Sequence, residues 1–87
     1  MEIEEIKVVD KLGFIYRVNV IHNPDVGLSR AYYNEERIAD RNSYAIREPF
    51  SDSDHDWEMY HERFSEWRDA AISDLQYSCK NYFDNKK

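Results

Sequence analysis

The stretch Asp52-Ser53-Asp54-His55-Asp56, with Glu58, His61 and Glu62 close behind it, holds the densest set of groups able to do chemistry. Alternating acids of this kind open a calcium loop, which requires Gly at its sixth position and a bidentate Glu at its twelfth. Counted from Asp52, those positions hold Trp57 and Arg63, so a calcium loop is excluded. His55, Glu58 and Glu62 are three and four residues apart, a spacing that one helix face can turn into a transition-metal site, with His61 facing elsewhere. Helix capping explains the same acids without an ion, and no metal or cofactor is assigned.

Nucleophilic catalysis has less to stand on. Cys79 is the only cysteine, so no intramolecular disulfide and no Cys-based zinc site can form. It stands next to Ser78, itself part of an apolar stripe, and a buried structural thiol is the default reading. His22, His55 and His61 have no Ser or Cys partner at a recognisable spacing, and two glycines are too few for a phosphate-cradling loop. The expectation is a protein that is not an enzyme.

A second regularity concerns charge. Glu58, Glu62, Glu66 and Asp69 follow at spacings of four, four and three, which stacks them on one face of a helix. Like charges so placed cost about 0.2–0.5 kcal/mol per pair, which Arg63 offsets only in part. The plain reading is a solvated, solubilising face; the functional reading is a surface for a basic partner, with Asp54 and Asp56 extending it. Over the ~16 Å from Glu58 to Asp69, a DNA duplex presents roughly ten phosphate charges. The stripe is therefore at most a partial imitation of DNA.

These acids need a helix beneath them. Trp57, Tyr60, Phe64, Trp67, Ala71, Leu75, Ser78 and Tyr82 recur at threes and fours, predicting a helix over about 53–83 with an apolar face. Ser51-x-x-Asp54 and Ser53-x-x-Asp56 are two overlapping capping boxes at its start. Upstream, alternation predicts strands within 3–9, 14–21, 28–34 and 43–47. A hairpin connection is expected at Asp10–Gly13 and a loop at Asn23-Pro24-Asp25-Val26-Gly27, while 35–42 is ambiguous between a helical turn and a loop. Apolar residues at both ends of the second face of 14–21 predict a central strand partly covered on each side. The fold class is α+β, a three- to four-stranded antiparallel sheet packed against one long C-terminal helix. Trp57, Tyr60, Phe64, Trp67 and Leu75 are expected to pack on Phe14, Tyr16, Val18 and Val20, so that loss of Trp67 or Phe64 should cost much of the stability.

Composition bounds the rest. Eighty-seven residues support one domain. The 15% aromatic content argues for a folded core rather than disorder. A net charge of −6 argues against direct binding to nucleic acid or to an anionic membrane. The acidic start MEIEEIK is no secretory signal and no apolar run is long enough to span a bilayer, so a cytoplasmic protein, of the cell or of a host cell, is expected.

Tyr32 and Tyr33 are adjacent and must face opposite ways on a strand, with Arg30, Arg37, Arg41 and Arg47 nearby. Two functions follow. The first is a small acidic inhibitor or modulator of a nucleic-acid-handling protein, of the kind phages and mobile elements use in counter-defence, binding through Glu58, Glu62, Glu66, Asp69, Asp54 and Asp56. The second is a structural or assembly subunit that forms a homodimer through its Tyr/Arg-bearing strands.

Overall fold

The computed structural model describes residues 2–86. Four strands run β1 (Glu2–Val9), β2 (Ile15–Asn23), β3 (Leu28–Tyr33) and β4 (Glu36–Asn42), followed by one helix, α1 (Asp54–Asn85). The strands form an antiparallel meander in the order β1-β2-β3-β4, and α1 packs on one face, an α+β fold.

Each connection has a local cause. Between β1 and β2, the Asp10 carboxylate accepts hydrogen bonds from the Leu12 and Phe14 amides and, through its other oxygen, from the Tyr16 hydroxyl at 2.9 Å. Between β2 and β3 a 3-10 turn, Pro24–Val26, ends on Gly27 in the left-handed region. Gly27 is also where the chain passes itself: its carbonyl accepts the Ser43 amide at 2.7 Å, and a Cβ there would fall on the Ser43 carbonyl. Gly27→Ala should therefore cost several times the ~1 kcal/mol of an ordinary glycine replacement. The check is equilibrium denaturation, with Gly13→Ala as the control, because a Cβ at Gly13 meets nothing within 4 Å.

The β3–β4 hairpin corrects the expected element limits. Asn34 and Glu35 both take positive φ, at 51° and 67°, and join Tyr33 directly to Glu36. This is the geometry of a two-residue type I′ turn, built without the customary glycine. Residues 36–42 are thereby the fourth strand rather than a helical turn or loop. The segment 43–47, predicted as that strand, has no regular secondary structure and lies outside the sheet. It hydrogen-bonds to the β2–β3 turn through Ser43 and Ile46, whose amides reach Gly27 and Pro24.

One sheet face holds the core: Ile6 and Val8 of β1, Val18 and Val20 of β2 and Ala31 of β3 meet Leu75, Cys79 and Phe83 of α1. Tyr16 stacks on Phe83 with ring centroids 3.8 Å apart, and Tyr33 meets both edge-on. Phe14, expected in this core, is 61% exposed because it precedes β2 in the turn. The fully buried helix positions are Trp67, Ala71, Leu75, Cys79 and Phe83. Steps of four residues drift about 40° around a helix, so the buried line turns as α1 crosses the strands obliquely. That drift brings Cys79 inward in place of Ser78, which is exposed. Two contacts fix the crossing: Arg41 of β4 to Asp74 at 2.6 Å, and the Lys11 amide to Asp84 at 2.8 Å.

The second sheet face is open rather than partly covered. Ile3 and Ile15 on it are 68% and 64% exposed, and Val9 is 47% exposed. Among the described residues no helix is long and apolar enough to cross a membrane.

Candidate partner-binding surface

The full burial of α1 begins only at Trp67. Residues 54–66, about 18 Å of helix, run on past the sheet, giving a molecule 51 Å long and 19 by 18 Å across. This arm is covered on one side by the returning segment 43–53. Trp57 donates its indole N–H to the Ser51 carbonyl at 3.0 Å, and Trp67 donates to the Tyr44 carbonyl at 3.1 Å. Trp57, Tyr60, Phe64 and Trp67 form a continuous line of ring contacts between those two anchors. Trp57, Tyr60 and Phe64 are half-buried, not part of the sheet core as expected, because no strand reaches them.

Glu58, Glu62, Glu66 and Asp69 are all exposed. At 100° per residue they lie within about 80° of one another, on the side away from the aromatic line. Asp54, four residues before Glu58, continues the row. Asp56 does not: two residues from Glu58, it turns to the opposite side, accepts the Ser51 hydroxyl at 2.6 Å and borders a shallow cleft with Ile46, Arg47, Pro49, Tyr60 and Arg63. Partial burial, then the carboxylates of Glu48, Asp25 and Glu2, raise the Tyr60 hydroxyl above its ordinary pKa, so it stays a protonated donor in that cleft. Neither capping box forms. Ser53 is the N-cap without a side-chain bond, and the Ser51 hydroxyl donates to Asp56 and accepts the Ser53 amide.

The acidic row is nearly free of counter-charge. Among the described residues its one ion pair is Asp69 to Arg68, at 3.7 Å. Arg63, the expected partner for Glu66, borders the cleft on the other side instead. Metal binding gains nothing from the fold, since no group of three or more His, Cys, Asp or Glu side chains converges among the described residues. Cys79 is wholly buried, and burial pushes its thiol up to about 11, which keeps it neutral and inert. At the C-terminal end of α1, the Lys80 ammonium and then the Lys11 amide hold the Asp84 carboxyl below its ordinary pKa.

One constellation was not legible in the sequence. His22, fully buried, lies between Ser29 Oγ, 2.8 Å from Nδ1, and Glu4 Oε1, 2.7 Å from Nε2. The residue types are those of a hydrolytic triad. However, Ser29 is itself buried and the Trp67 ring closes over the imidazole at 5.8 Å, so no substrate can reach the hydroxyl. The group is a polar tie within the core. The register supplies the only clue, since His22 and Ser29 are directly paired across β2 and β3.

The tyrosine pair divides as strand geometry requires. Tyr33 turns into the core, while Tyr32 stays on the open face with Arg30, beside a recess formed with Ile21, Asn23 and Leu28. Arg41 is engaged by the helix. A Tyr/Arg surface on these strands is thus smaller than the sequence implies.

Comparison with known proteins returns no matching family model, no similar curated protein and no similar solved structure.

Proposed function

We propose that this chain is a non-enzymatic binding module whose projecting acidic arm docks on the basic surface of a nucleic-acid-handling protein. The observation that carries the reading is the arm itself. Glu58, Glu62, Glu66 and Asp69 stand on a helix that runs past its sheet, facing solvent, with Arg68 as their one ion-paired neighbour among the described residues. Carboxylates at helical spacing can occupy a groove that otherwise holds phosphates, and their field speeds encounter with a positive partner. Four charges where a duplex carries roughly ten make the module a competitor for one part of the groove. An inhibitor or modulator of phage or mobile-element type fits this size and charge, acting in the cytoplasm of its host.

The test is capture of partners from host lysate at low and high salt with the wild-type chain and with Glu62→Lys/Glu66→Lys. Both positions are exposed, so the fold should survive. Association at low salt should slow on the order of tenfold in the variant, with a weaker dependence on salt. Unchanged capture and an unchanged salt response would remove the acidic row from the function.

A further inference from the structure

Among the described residues β1 is the free edge of the sheet: its one hydrogen-bonded neighbour strand is β2, it runs eight residues, and it contains no proline. Such an edge presents a row of unpaired backbone groups, and proteins normally shorten, bulge or cover it. The opposite edge is treated in that way, since β4 carries a register shift opposite Ala31/Tyr32 and is bound to α1 through Arg41 and Asp74. Among the described residues β1 has no comparable device beyond its charged side chains.

We propose that the occupant of this edge is a second copy of the same chain, its β1 antiparallel to the first about a two-fold axis at Ile6. The side chains select the occupant and the register. In an antiparallel pair, residues directly opposite share a face, and a two-fold axis normal to the sheet keeps the open faces together. With the axis at Ile6 the ladder runs from Ile3 to Val9: Ile3 faces Val9 of the second copy, Glu5 faces its Lys7, and each pair occurs twice, while Glu2 falls opposite Asp10, which lies beyond the strand and whose carboxylate is held in its own turn by Leu12, Phe14 and Tyr16. Moving the axis one residue toward the N-terminus sets Glu5 against Glu5, and one residue the other way sets Lys7 against Lys7. Opposite charges directly across a ladder stabilise it and like charges destabilise it, so the neighbouring registers are disfavoured.

The exposed apolar residues point to the same register. Within one chain Ile3 pairs with Ile21 and Val9 with Ile15. Across the proposed axis these become continuous four-residue rows on the open face, Ile21–Ile3 meeting Val9–Ile15 of the second copy, and the same again by symmetry. Three of these side chains are about half exposed or more in the single chain, Ile3 at 68%, Ile15 at 64% and Val9 at 47%. The charged rows continue likewise, Asn19–Glu5 meeting Lys7–Arg17. The product is an eight-stranded sheet with its two acidic arms on the same face, so one dimer offers a partner two arms.

The experiment is sedimentation equilibrium of the full chain over a range of concentrations, with circular dichroism as the check on folding. The wild type should show a reversible monomer–dimer equilibrium. Glu5→Lys and Lys7→Glu should each weaken it at least tenfold, because each sets two like-charge pairs across the axis. An equimolar mixture of the two single variants should recover dimers, since every pair in the mixed dimer is again opposite in charge, and Glu5→Lys/Lys7→Glu in one chain should recover the homodimer. A wild type that stays monomeric at every concentration overturns the proposal. So does a dimer that neither single reversal weakens, or folded single variants whose mixture fails to associate; the last two outcomes place the contact elsewhere. The readout is independent of the arm, so Glu62→Lys/Glu66→Lys should dimerise as the wild type does.

Discussion

Trp67→Ala is expected to destabilise the protein by roughly 3–5 kcal/mol, the range for removing a large aromatic side chain from a packed core. Trp67 is 2% exposed, stacks on Phe64 and meets the His22 ring edge-on. Its indole N–H also holds the Tyr44 carbonyl, so truncation releases the returning segment as well as opening a cavity. Small domains have only about 5–15 kcal/mol of stability in total, and at this chain length each kcal/mol moves Tm by roughly 4–8 °C. Thermal and urea unfolding should therefore show a large loss of Tm. The informative control is Trp57→Ala. Trp57 makes the equivalent bond, to Ser51, but is half-buried on the arm, where its loss should cost on the order of 1 kcal/mol. Equal losses at the two positions would mean that the arm is packed as tightly as the sheet core, against the geometry.

The second large effect is expected at His22. Replacement by leucine keeps the volume but strands two polar groups, the Ser29 hydroxyl in the core and the Glu4 carboxylate at its margin. An unsatisfied buried group costs about 1–3 kcal/mol and an unpaired charge more, so His22→Leu should lose roughly 2–4 kcal/mol in urea denaturation. Glu4→Gln retains an oxygen and should cost less, about 1 kcal/mol. The decisive comparison is the triple variant Glu4→Leu/His22→Leu/Ser29→Ala. If stranded partners cause the loss, removing all three should be less harmful than removing His22 alone. A triple variant less stable than the single one would show that the imidazole acts through packing against Trp67 instead.

The same tie shows why part of the core escaped a reading along the chain. Glu4, His22 and Ser29 come from three strands, and His22 is 18 residues from the first and seven from the second. Alternation places His22 on the face of Val18 and Val20 but says nothing of what stands opposite. The fourth strand escaped for a local reason. Asn34 and Glu35 take positive φ without a glycine to announce the turn, and the charged run 36–42 has one large apolar residue, Ile38, to mark a face. The segment 43–47 alternates as well as a strand does, but its position behind the β2–β3 turn leaves it no neighbour in the sheet.

What the sequence determined by itself is whatever repeats within a few residues. The long helix, the strands with Val18 and Val20 or Ile6 and Val8 on one face, the two glycine turns and the shared outward direction of Glu58, Glu62, Glu66 and Asp69 all follow from periods of two and 3.6 and from backbone limits at Pro and Gly. The tertiary structure decided how these pieces meet. It set Asp56 beside Arg47 at the cleft formed by the returning segment, exchanged Ser78 for Cys79 as the oblique crossing rotated the buried line, and left the first three turns of the helix beyond the sheet. It also left β1 as an open edge. These depend on crossing angle, strand order and overhang, which are distances between segments remote in the chain, and periodicity along a chain carries no information about them.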